Sequence, residues 1–205
     1  MLYLLIAAGV VIVGLAAAQL VLPSFLAGKV EDRLTARGGS ANVDLEAVPA
    51  VRLLANEGDR FKLAGRGLQF PLGQKQSVFD KLDGFDSVQV RLSNVKAGPF
   101  TVRRFDLSRG DGQQDYKLTS TGVSTVAQVS SYLTSGLPPL LSSLLNGVAR
   151  GATGPAANRP IPFTLDAELA SDGGEPRLVS GSGSVAGIPT GPFAALLAQS
   201  ILSRL

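Results

Sequence analysis

The chain has 205 residues, 19 Lys plus Arg against 16 Asp plus Glu, and no His, Cys or Trp. That length suits one domain with an ample core and room for an appended segment. Without His or Cys there is no imidazole base, thiolate, Cys/His zinc site or disulfide, and a net charge of +3 is too mild for the basic stripe of a nucleic-acid binder. Binding is favoured over chemistry: no catalytic residue, cofactor, metal or nucleic acid is expected.

Residues 1–28 carry no charge, Lys29 being the first, and from Leu2 to Leu22 only Tyr3 and Gln19 are neither aliphatic nor Gly. At 1.5 Å per residue such a run reaches about 32 Å, the thickness of a bilayer core. A buried core helix is a poor alternative, because globular helices keep a polar face. Residues 1–24 are therefore expected to be a transmembrane anchor or signal segment, ended by Pro23 and Ser24. Ala16-Ala17-Ala18 fits a signal cleavage site, so a cleaved and secreted form stays open. The absence of a basic n-region and the continuation to Leu22 favour a retained anchor. Lys29, Arg33 and Arg37 weakly favour a cytoplasmic C-terminal side, but charge alone does not settle which side of the membrane the domain faces.

Residues 25–205 are expected to form a single α+β domain. Leu22, Leu26, Val30 and Leu34 recur at helical spacing up to Gly38-Gly39, a helix that is open to being a continuation of the anchor. An antiparallel region follows. Val43, Leu45 and Ala47 alternate with Asn42, Asp44 and Glu46, and a helical turn spans Pro49–Asn56. Phe61–Phe70 is a strand whose glycines mark a bend or bulge, and Val88, Val90 and Leu92 alternate with Gln89, Arg91 and Ser93. Lys96-Ala97-Gly98-Pro99 makes a turn. Phe105 and Leu107 fall on the opposite parity from Phe100 and Val102, which predicts a bulge near Arg103-Arg104. Arg109-Gly110-Asp111-Gly112 reads as a turn, despite spelling the integrin tripeptide, and the sheet continues through Tyr116 and Leu118.

Residues 118–158 hold one charged side chain, Arg150. Val126, Val129, Tyr132, Leu133 and Leu137, then Leu140, Leu141, Leu144, Leu145 and Val148, predict a long helix kinked at Pro138-Pro139, starting at Ser124. Its other face is Ser, Thr and Gly. That pattern suits a core helix under a sheet or, slightly better, the wall of an acyl-chain groove or a surface on lipid. The candidate lipid-binding residues are Val126, Val129, Leu133, Leu137, Leu140, Leu141, Leu144, Leu145 and Val148. Two more strands follow, around Phe163–Leu169 and Leu178–Val185. Phe193, Leu197, Ile201 and Leu205 predict a terminal helix.

Asp80, Asp83 and Asp86 match no cation-binding loop and read as solvated turn residues. Ser93-Asn94-Val95-Lys96 has the letters of a Ser/Lys nucleophile motif but lies at a strand end, outside the helix start that chemistry needs. Between Val51 and Gly110 stand 11 Lys or Arg against 6 acids. On the polar face of a sheet this excess suits anionic head groups, with Lys62, Arg66, Arg103 and Arg104 as candidates; a merely solvated β face is the plainer alternative.

Val30-Glu31-Asp32-Arg33-Leu34 after an apolar segment, Pro49-x-x-x-Leu53-Leu54-x-x-x-Gly58, Leu82-Asp83-Gly84-Phe85-Asp86-Ser87-Val88 and Gly98-Pro99-Phe100 together resemble the LmeA-like phospholipid-binding family of actinobacterial cell envelopes. The likeness covers about residues 27–205 in layout. Ala50 departs from it, an aromatic often standing there in the family. The resemblance implies a curved antiparallel sheet with helices, an extracytoplasmic, membrane-associated location, phospholipid as ligand, and no catalytic residues. The expected function is a phospholipid-binding protein that shelters or transfers acyl lipids for envelope assembly. The alternative is a non-catalytic scaffold docking a protein partner of unknown identity, and an enzyme working with carboxylates alone ranks last.

Overall fold

A computed structural model describes residues 2–70, 78–98, 100–125, 159–185 and 188–189, with side chains in the first helix described from Ala18 onward. Helix α1 spans Leu2–Thr35 without interruption. Pro23 lies inside it rather than ending it: proline removes one backbone donor and leaves the carbonyl four residues back unpaired, a loss that packing on both sides offsets. Among the residues whose side chains are described, no helix is long and apolar enough to cross a membrane. The membrane reading of the N-terminal run therefore rests on the sequence.

The strands are β1 (Ser40–Glu46), β2 (Gly58–Arg66), β3 (Gln69–Phe70), β4 (Phe85–Ala97), β5 (Phe100–Arg109), β6 (Asp115–Thr125), β7 (Pro160–Asp172), β8 (Glu175–Val185) and β9 (Ile188–Pro189). They make one sheet in the order β1-β2-β4-β5-β6-β7-β8-β9, with β3 also on β4. The sheet is mixed, not wholly antiparallel as the alternation suggests: β2 and β3 run parallel to β4 and the other pairs are antiparallel. Two strands can share a direction only through a crossover. Here it includes α2 (Val78–Leu82), a short helix that alternation did not reveal.

The register explains the one-sided patterning. Val43 lies opposite Leu63, Leu63 beside Val90, Val90 opposite Leu107, Leu107 opposite Leu118 and Leu118 opposite Ala167, one apolar row across six strands. These side chains are buried, with Phe79 and Leu82 of α2 and Ala27 of α1 in the same core. Leu26, Val30 and Leu34 pack against it as the helical spacing predicts. The expected bulge is present, as the β5–β6 register shifts between Val102 and Arg104. The glycine bend is present too, at Gly67 (φ +67°), but it divides the expected single strand into β2 and β3.

Strand β6 runs through Ser124 and Thr125, where a helix start is expected, because Ser120 and Ser124 continue the buried parity of Tyr116 and Leu118. Asp83 is not a solvated turn residue, because its carboxylate accepts from Arg109, Tyr116 and Ser171. The kinked helix with all of its candidate lipid-binding residues, from Val126 to Val148, and the terminal helix from Phe193 lie outside the described residues.

Leu118 sits 3 % exposed in the apolar row, between Leu107 and Ala167. Leu118→Ala is expected to lower stability by about 3 kcal/mol, the cost of lost transfer plus a cavity, in urea denaturation of the detergent-solubilised chain. Leu54→Ala, at a position 67 % exposed, should change it by less than about 0.5 kcal/mol.

Candidate functional site

The sheet's other face is polar, and its register gathers cations that are far apart in sequence. Arg66 lies beside Ser93, and Ser93 lies opposite Arg104, so two guanidinium side chains flank one serine. With strands about 4.8 Å apart, their backbones are about 10 Å from each other. One step along, Ala64 lies beside Arg91 and Arg91 opposite Asp106. The bulge at Arg103 and the left-handed Asn94 (φ +52°) fall next to this row, so both strands bend there together and keep their mutual register. The result is a shallow open trough of about 570 Å³ lined by Asn42, Arg66, Arg91, Ser93, Arg104 and Asp106, among others.

Its charge is poorly balanced. Arg91 Nε is 3.8 Å from Asp106 Oδ1, a long pair between exposed groups. Among the described residues no carboxylate lies within ion-pair distance of Arg66 or Arg104. Ser93 Oγ donates to the Gly65 carbonyl at 3.4 Å. Guanidinium groups offer paired N–H donors in a planar fork that matches phosphate and carboxylate oxygens. The trough is thus suited to hold an anion. Among the described residues no cluster of three or more Asp or Glu is placed to hold a metal.

Of the four expected head-group residues, Arg66 and Arg104 meet in the trough. Lys62 lies four residues down β2 opposite Asp44, and Arg103 is the exposed extra residue of the bulge, outside the row. Arg91 was missed, although its parity with Gln89 and Ser93 already places it on the wet face. Arg109 leaves the basic set altogether.

Arg109 is instead buried on the apolar side, 9 % exposed, at the end of β5. Its Nη1 donates to Asp83 Oδ1 at 3.3 Å, and its Nη2 to the carbonyls of Leu82 (3.2 Å), Asp83 (3.3 Å) and Phe85. The guanidinium also stacks 4.6 Å from the Tyr116 ring centre. Tyr116 donates to Asp83 Oδ1 at 2.8 Å and Ser171 donates to Asp83 Oδ2. One carboxylate thus joins the start of β4 to β5, β6 and β7, which is why Asp83 cannot be a free turn residue. It also removes the integrin tripeptide as a ligand, because its arginine is enclosed. Burial, and then the bond it donates to Asp83, push the Tyr116 hydroxyl far above its ordinary range against the opposing charge of Arg109.

Comparison with known proteins finds no matching family model, no matching curated protein and no matching solved structure. The family resemblance is left on the sequence motifs alone.

Two outcomes are expected of the buried cluster. Asp83→Leu leaves Arg109 buried without its counter-charge and should cost about 3–5 kcal/mol in urea denaturation. A hydroxyl whose pKa is raised by folding stabilises fully below its unfolded value, here 10.0, and that contribution fades as pH rises above it. Stability should therefore fall above about pH 10 by an extra ~1.4 kcal/mol per pH unit relative to Tyr116→Phe, read from chemical melts of both chains across that range.

Proposed function

We propose that this chain is a membrane-anchored, extracytoplasmic phospholipid-binding protein whose arginine trough takes the anionic head group. The observation that carries this reading is the trough itself: two guanidinium side chains with no acidic partner among the described residues, aligned on one cross-strand row around Ser93. Support comes from the uncharged helical N-terminal run, which suits an anchor, and from the lack of His and Cys, which leaves binding as the simplest role. The acyl chains are assigned to the apolar positions from Val126 to Val148 on sequence pattern alone. A lipid head seated on two forked cations and a chain covered by leucines is sheltered from water, which is the requirement for carrying an acyl lipid between surfaces.

The test is lipid mass spectrometry of the full chain purified in mild detergent, together with titration by short-chain phosphatidylglycerol. Co-purified phospholipid and saturable binding are expected. Arg66→Ala and Arg104→Ala should each weaken binding about fivefold, corresponding to about 1 kcal/mol per head-group cation, while Arg103→Ala should not. No co-purified lipid and no saturation would sink the proposal. Binding equally strong in all variants would remove the trough from it.

A further inference from the structure

Among the described residues the exposed large apolar side chains are unevenly placed. Leu20 (79 % exposed), Val21 and Phe25 belong to α1, and Val48 (72 %), Val51 and Leu54 to the corner between β1 and β2. Only Val179 lies elsewhere. The two groups are held at one level by Gln19. Its Nε2 donates to the Ala47 carbonyl and its Oε1 accepts from the Ala50 amide, both at 2.7 Å. The only polar side chain from Val21 back to Leu4 is thus spent on the backbone of that corner.

The level is fixed along the helix axis. Everything before Lys29 is uncharged, and Lys29 stands ten residues past Gln19, about 15 Å further along α1. From there the helix carries Lys29, Glu31, Asp32, Arg33 and, just beyond its end, Arg37. The Lys29 ammonium sits 4.8 Å from the centre of the Phe25 ring, a cation–π contact where the uncharged run ends. Gln19 lies on the N-terminal side of Pro23, and Leu26 and Ala27 on the other side pack into the core. The domain therefore grips α1 across the proline, and the anchor is not a free tether.

We propose that the corner carrying Val48, Val51 and Leu54, with Leu20, Val21 and Phe25, is seated in the interface of the phospholipid bilayer that holds the anchor. This rests on the anchor reading and adds which end of the domain touches lipid. It has a consequence for the trough. Glu31, twelve residues along α1 from Gln19, accepts from the Val43 amide at 2.6 Å, so β1 runs antiparallel to α1 and its start lies furthest from the corner. Ser40 and Arg66 stand opposite each other at the far end of β1. The trough then faces water about 20 Å from the bilayer surface, where it meets a head group already withdrawn from the membrane.

The chain has no Cys, so single labels are clean. Val48→Cys, Leu54→Cys and, as a ruler, Ala36→Cys would each carry an environment-sensitive dye on the full chain in phosphatidylcholine vesicles doped with phosphatidylglycerol. Ala36 is about 24 Å beyond Leu20 along the helix direction. The expected result is a blue shift at 48 and 54 and a loss of about half their emission to a nitroxide-bearing lipid, with neither at 36. Chain that floats with the vesicles while 48 and 54 stay as wet as 36 overturns the seating alone and leaves the anchor intact. Chain that does not float overturns the anchor reading, and the seating with it. Shielding of 48 and 54 that is unaffected by the lipid nitroxide means a second copy or another protein covers the corner, and also overturns the proposal.

Discussion

The sheet depends on one half-buried carboxylate and the buried arginine it holds. Because β2 and β4 are parallel, the chain must leave the sheet after β3 and re-enter it at Phe85, and nothing in strand pairing alone fixes where it re-enters. Asp83 does so by accepting from Arg109, Tyr116 and Ser171, which lie on three successive strands. Arg109 adds three carbonyls of the same re-entry turn. A buried ion pair is weak evidence of net stability, since desolvation opposes the attraction, but losing one partner is severe. Here the pair specifies register: a slip of β4 by one residue would put Val88 and Val90 in water and Arg91 in the core.

That register is what makes the arginine trough. Arg66, Arg91 and Arg104 come from three strands, and only the β2–β4 and β4–β5 pairings bring them side by side. The bulge at Arg103 aims the end of β5 without disturbing the pairing with β4, because Asn94 bends at the same level. At the same edge of the sheet, α1 packs on β1 and Glu31 takes the Val43 amide. The edge that a sheet must protect from aggregation is here protected by the helix that also bears the uncharged run.

Much of this was legible residue by residue. Alternation of Val43, Leu45 and Ala47 with their polar neighbours gives the wet and dry faces of β1, and the parity break between Val102 and Phe105 marks the bulge. The helical spacing of Leu26, Val30 and Leu34 holds in the core. The failures share a cause. Asp83 and Arg109 sit in turn-like surroundings of Asp and Gly, and local composition cannot say that a loop folds back over a sheet. Likewise Ser124 continues a strand because its side chain meets the core, although Ser-rich sequence followed by spaced leucines has the look of a helix start. In the trough, Arg66 and Arg104 were legible as wet-face cations, but their being neighbours was not.

By itself the sequence determined what the protein lacks and how its polarity is distributed: no imidazole or thiol chemistry, an uncharged start, and strands with one apolar face, because these follow from residue types and their spacing. Only the tertiary structure decided which cations share a row, that Asp83 and Arg109 are partners, and that Gln19 fastens the N-terminal helix to the corner at Ala47 and Ala50. Those hydrogen bonds join residues 26 to 31 positions apart, and like the shared row of cations they exist only once the fold has brought the segments together.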